Sequence, residues 1–290
     1  MVSEYRQAYN RDFSPEKYQA LLNQIARTHD HRPPFRIAET PVFIPNLLKT
    51  RLQEACEEIN SVICQPNFKE LTTGAIKHLP LQTPNEDYHT RFLQMDFGIC
   101  LDEHGDPIPQ LIEVQGFPSL YFFQEMLAQA YRDHFDIPWH LRSHLSGMTS
   151  AQYIALLRDI IVGDIDPAQV VLLEIEPEKQ TTYIDFLGAH HHLGIKVLCI
   201  SKMKKRGRQL FYLDEQGREI PILRIYNRVI FDELSQRDDL PREFLFQDEV
   251  DVEWVGPPNW FFRIRKYTMP RLHSRYVPPC LSLDQLDAYP

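Results

Sequence analysis

The stretch VVLLEIEPEKQTTYIDFLGAHHHLGIKVLCIS, residues 170–201, constrains the fold more than any other part of the chain. Two short apolar runs, VVLLEI and IKVLCIS, flank a segment whose apolar spacing predicts a helix closed by Gly194. Strand, helix and strand within about 30 residues make a crossover, and a crossover requires parallel strands with the helix packed on them. The expected fold is therefore α/β. An N-terminal α+β part over residues 1–150 precedes a Rossmann-like βαβ part over 151–255, and residues 256–290 read as a connector.

The flanking sequence fills in this frame. SPEKYQALLNQIAR starts with Ser14, Pro15 and Glu16, which favour a helix start. Leu47, Leu48, Leu52, Ala55 and Ile59 recur at helical spacing, predicting a helix from Pro45 to about Ile63. Residues 91–115 read as a hairpin turning at EHGDP, and 117–131 and 149–164 as helices. From KMKKRGR to about Phe231 an antiparallel excursion is expected, with Gly207 and Gly217 at its turns and ILRIYNRVIF as its last strand.

Charge removes some classes of function. A formal net charge of −9 opposes a phosphate-tracking surface, so neither nucleic acid nor an anionic membrane is an expected partner. KMKKRGR reads as a solvated hairpin turn. The five cysteines have no paired spacing, which implies free thiols in a reducing compartment. The N-terminus lacks the apolar run of a signal peptide and no stretch reaches the length of a membrane span, so a cytoplasmic location is expected. His190, His191 and His192 fan out by about 100° per residue on a helix and cannot converge on one tetrahedral metal, leaving a polar helix face as the plainer reading. GxSxG, HExxH, a complete P-loop and GxGxxG are all absent from the sequence.

Three stretches carry candidate chemistry. In PQLIEVQGFPSL the pleat puts Glu113 and Gln115 on one side and Ile112 and Val114 on the other, just before the chain breaks at Gly116, Phe117 and Pro118. An acid and an amide at a strand end suit a hard cation such as magnesium, or the ammonium and carboxyl groups of an amino-acid-like ligand; the alternative is a polar outer sheet face. Ser119 adds a hydroxyl, next to a helix N-terminus whose N–H groups can face an anion. In ILRIYNRVIF a regular strand would carry Arg224, Tyr226 and Arg228 on one side, fit to clamp a carboxylate or phosphate, or else to pair with Asp232, Glu233 and Asp238. The third stretch, NWFFRIRKYTMPRL, crowds Asn259, Trp260, Arg263, Arg265 and Lys266 ahead of a Pro-bounded segment.

In this order the three stretches resemble the front half of ATP-grasp ligases, most closely eukaryotic-type glutathione synthetases, and also a group of bacterial ATP-grasp-type proteins. QLIEVQGFPSL is similar to the family's Q-hydrophobic-E-hydrophobic-N segment, with Gln115 standing where the family has Asn. The resemblance implies that Glu113 and Gln115 contribute to magnesium binding and that Ser119 contacts an amino-acid-like or peptide substrate. ILRIYNRVI resembles the strand that holds the substrate carboxylate, implying Arg224 with Tyr226, and Arg228 is expected to join them from the same strand face. NWFFRIRKYTMPRL resembles the lysine-bearing segment before the nucleotide site, implying Lys266 at the ATP phosphates. YVPPCLSLDQL resembles the linker into the ATP-grasp core, whose glycine-rich loop, second lysine and acidic magnesium ligands would come after Pro290. ATP and Mg2+ are the implied cofactors, with an ATP-grasp domain supplied in cis or in trans. The expected function is the substrate side of a carboxylate–amine ligase working through an acyl phosphate, inactive alone. A non-catalytic module binding a small molecule or a partner, and an assembly subunit for a separate ATP-grasp chain, remain open.

Overall fold

Val170–Glu174 and Lys196–Cys199 lie side by side as parallel strands, joined through the helix Tyr183–Leu193. The computed structural model describes residues 2–79 and 82–286. Along the chain run helices α1 (Ser3–Asp12), α2 (Pro15–Thr28), α3 (Asn46–Ile63) and the single turn α4 (Phe68–Leu71), then strands β1 (Gln94–Leu101) and β2 (Pro107–Gln115). Helices α5 (Tyr121–His134) and α6 (Ser150–Ile161) lead into β3 (Val170–Glu174), α7 (Tyr183–Leu193) and β4 (Lys196–Cys199). Three short strands, β5 (Lys204–Arg206), β6 (Gln209–Leu213) and β7 (Glu219–Ile222), precede β8 (Arg224–Asn227), α8 (Phe231–Leu234), β9 (Glu253–Val255) and α9 (Pro258–Arg263). The protein is α/β, and no helix among the described residues is long and apolar enough to cross a membrane.

The chain forms two compact units, each assembled from separated segments. The first takes residues 1–45, 119–245 and 250–255; the second takes 46–118, 246–249 and 256–290.

The first unit is built on a four-stranded parallel sheet in the order β4-β3-β8-β9. All five residues of β3 are buried, which is why VVLLE reads as a continuous apolar run rather than an alternating one. Each of its Val and Leu side chains contributes on the order of 1.5–3 kcal/mol by leaving water. The chain leaves β3 towards β4 on one side, while β8, on the other side of β3, continues outward to β9. Loops that diverge in this way open a crevice at the carboxyl ends of β3 and β8.

Local signals set many boundaries. The Ser14 hydroxyl accepts from Lys17 N–H, Thr149 and Gln152 form a capping box, and Gly194 takes the left-handed conformation at φ 75°. Two expectations fail. Helix α5 begins at Tyr121, four residues later than the sequence pattern suggests, because 116–120 form a bend in which Leu120 itself is left-handed at φ 55°. ILRIYNRVIF is not one strand of the antiparallel excursion. β7 closes the sheet β5-β6-β7, the Leu223 N–H turns to the Gln169 carbonyl at 2.9 Å, and β8 enters the parallel sheet. Helix α1, which carries few apolar residues, has no counterpart in the sequence reading.

Candidate functional site

In the second unit β1 and β2 pair antiparallel, with Gln94 opposite Gln115 and Asp96 opposite Glu113. The next pair is Phe97 with Leu111, so Ile112 is an extra, bulged residue. The bulge corrects the expected pleat. Leu111 and Val114 are buried, whereas Ile112 is 62% exposed instead of sharing a face with Val114. After the bulge, Glu113 and Gln115 lie opposite Val114 and gather with their cross-strand partners. The Gln115 amide donates to Glu113 Oε1 at 2.6 Å. Burial, the charge of Glu113 and a hydrogen bond with it push the Asp96 carboxyl up, against the effect of the Gln94 amide. Gln94 Oε1 is a buried acceptor with no donor among the described residues. Two carboxylates and two amides on one half-buried face form an oxygen-rich cluster that a hard cation would relieve. Asp96 and Gln94 were not singled out in the sequence; only the register across the hairpin reveals them.

The exit of β2 is fixed by the C-terminal segment of the same unit. Gly116 N–H donates to the Ile264 carbonyl at 3.0 Å, and a Cβ at 116 would lie 2.9 Å from Ile264 Cβ and from the Trp260 carbonyl oxygen. This close approach demands glycine. Arg263 holds the segment from below, donating to both oxygens of Glu86 at 2.6 and 3.3 Å and to the Lys69 carbonyl at 2.7 Å. Asn259 bonds both the N–H and the carbonyl of Thr83. Lys266, two residues beyond Ile264, is exposed and belongs to no ion pair among the described residues.

In the first unit the carboxyl ends of β3 and β8 hold a buried polar cluster. Glu174 ends β3 and is 3% exposed; Asn227 ends β8 and is fully buried; Arg228, 4% exposed, sends its N–H to the Leu173 carbonyl at 2.9 Å. The Arg228 guanidinium lies 5.2 Å from the Phe186 ring centre. Burial pushes Glu174 up to about 8, against the opposing pull of the Ile175 N–H and of Arg228. Asp185, wholly buried, is pushed up by the same loss of water, with Arg228 opposing. Tyr226 is fully buried beside these charges and is raised well above the usual phenol range, chiefly by burial.

Arg224 and Arg228 do not converge. Four residues of strand, about 13 Å, separate their backbones. Arg224 sits at the entry of β8 and pairs with Glu253, which is none of the acids expected from the sequence. Ser119 is half-buried ahead of α5, but the helix N–H groups expected to face an anion are taken: Asp185 Oδ1 accepts from Phe122 and Phe123 at 2.8 and 2.9 Å. Glu113, Gln115 and Lys266 belong to one unit, and Ser119, Arg224, Tyr226 and Arg228 to the other.

A parallel sheet with acids and an arginine at its carboxyl edge, and a hairpin bearing a carboxylate pair, define an α/β protein with a polar cluster in each of its two units. Among solved structures the chain is similar to the apo form of a glutathione synthetase-like effector from Globodera pallida, at 14% identity and a TM-score of 0.48 over 86% of this chain. The chain spans 65% of the length of that structure. No family model matches, and no curated protein matches.

Proposed function

We propose that the chain is the cation- and substrate-holding part of an ATP-dependent carboxylate–amine ligase. The reading rests on the likeness of its three short stretches to the front half of such enzymes. One observation carries it further: Asp96 stands opposite Glu113, flanked by Gln94 and Gln115, with the Asp96 carboxyl held above its usual range. Neighbouring carboxylates resist shedding both protons unless a cation compensates them, and Mg2+ prefers a few oxygen ligands of this kind while retaining waters. Asp96 and Glu113 would hold the ion, with the amide oxygens of Gln94 and Gln115 as further ligands. Its positive charge would offset the phosphoryl oxygens of a nucleotide. When bound, ATP supplies the phosphoryl group that activates a carboxylate towards an amine. A single exposed ammonium, Lys266, does not make a nucleotide site, so the proposal gives these residues the cation and the acyl substrate alone. Arg228 and Tyr226, with Ser119, are the groups proposed for that substrate; Arg224 is engaged by Glu253.

Calorimetric titration with MgCl2 at pH 7.5 tests the reading, alongside ADP release from Mg-ATP with pooled amino acids and dipeptides. Saturable Mg2+ binding is expected, weakened at least tenfold by Glu113→Gln and by Asp96→Asn with unchanged circular dichroism. Equal Mg2+ binding by the wild type and both variants would remove the cation site. Absence of ADP release from the full gene product under every substrate pool would remove the ligase.

A further inference from the structure

Within the first unit, α2, α5, α6 and α7 line a groove of about 450 Å³. That volume falls in the range of small-molecule sites. Its floor is apolar, from Phe122 and Met126 on α5, Ile154 on α6 and Gly188 on α7. Helices α5 and α7 approach closely there because residue 188 has no side chain: a Cβ would lie 2.8 Å from Phe122 Cβ. His29, His191 and His192 stand along the rim, with His29 and His191 ring centres 5.5 Å apart and those of His191 and His192 4.9 Å apart. The polar helix face read from the sequence is thus one wall of a cavity.

The charge of this groove is distinctive. Glu125, 7% exposed, is the one carboxylate lining it, and neither lysine nor arginine lines it among the described residues. Its Oε2 lies 2.8 Å from His144 Nε2. The other charged groups nearby are already engaged. Arg158 on α6 donates to the His192 carbonyl at 2.8 Å, and Asp133 and His134 on α5 both bond Gln24 of α2. Burial and mutual proximity hold His29 and His192 below the ordinary imidazole range, with Glu125 opposing at His192. At neutral pH His29 and His192 therefore offer uncharged ring nitrogens beside the buried Glu125 side chain.

The geometry points to a binding site for an organic cation: a primary ammonium on an aromatic or branched apolar body, without a carboxylate of its own. The ammonium donates to Glu125 Oε1 and to a rim imidazole, and the body lies on Phe122, Met126 and Ile154. An amino acid is disfavoured because no guanidinium or ammonium lines the groove to receive its carboxylate. Acidification protonates His29 and His192 and weakens binding, since imidazolium groups repel the incoming cation. This inference is independent of the ligase reading, which uses none of these residues.

Calorimetry with 2-phenylethylamine, L-phenylalanine and 3-phenylpropionate at pH 8.0 and 5.5 is the test. The amine should bind saturably at pH 8.0, at least tenfold more tightly than phenylalanine, with no detectable binding of the propionate and at least a fivefold loss at pH 5.5. Glu125→Gln should weaken the amine at least tenfold. Ala151→Trp, which fills the groove from an exposed helix position without touching the acid, should abolish binding and keeps the test readable if Glu125→Gln fails to fold. No binding of the amine, equal binding of amine and propionate, or full affinity in Ala151→Trp would overturn the assignment.

Discussion

Glu174 shows how much a single buried acid decides. It sits inside VVLLEI, where its neighbours mark an apolar strand, and at that position it loses nearly all contact with water. Its folded-state value of about 8 lies above the unfolded one of about 4.5. The native state therefore binds more protons than the unfolded chain between these values, and stability falls as pH rises through that window. Asp185, also raised, adds a slope of the same sign. Urea midpoints measured from pH 5 to pH 8.5 should drop in the wild type, and Glu174→Gln should flatten the curve; an identical slope in the variant would mean that the acid is not buried protonated. The sequence discloses that a charge interrupts the strand. It does not disclose that the compensating charge is Arg228, because that pairing arises only when β8 lies beside β3.

At the scale of elements, what the sequence reveals is what a few adjacent residues decide. Caps at Ser14, Thr149 and Gly194 act within one turn, and the crossover follows from the alternation of its runs. Helix α5 is the counterexample, since no side chain at its own N-cap bonds to it. Asp185, reaching from α7, performs that role for two N–H groups at once. Asp185→Ala should cost about 2 kcal/mol in chemical denaturation, by loss of a cap and exposure of buried donors. Asp185→Asn retains an acceptor oxygen and should cost less; the reverse order would refute the cap. The bulge at Ile112 was equally hidden, since alternation alone predicts an unbroken pleat. The hairpin and the polarity of Glu113 and Gln115 were legible, but their assembly with Asp96 and Gln94 required the register.

For the whole molecule, each compact unit draws on distant segments of the chain. The second unit is held by polar bonds as well as by the cluster of Ile59, Phe68, Leu111, Val114, Trp260 and Ile264. Burial raises Glu86, but its bonds to Arg263 and Lys69 outweigh that effect and keep the carboxyl below its usual range. Removing Arg263 leaves the largely buried Glu86 with Lys69 alone, so Arg263→Ala should destabilise this unit by about 3–5 kcal/mol, whereas Arg275→Ala, whose pair with Glu54 faces solvent, should cost under about 1 kcal/mol. Thermal unfolding of the two variants distinguishes them, and comparable melting temperatures would show that the buried pair is not structural. The same stitching imposes an order on biosynthesis. Leu111 and Val114 leave the ribosome long before Trp260 and Ile264 have been translated, so the apolar side of the hairpin waits only partly covered, by Ile59 and Phe68, while the intervening polypeptide emerges. A nascent chain stalled ahead of residue 256 would present that side to chaperones and proteases, and release from them would coincide with delivery of the final segment.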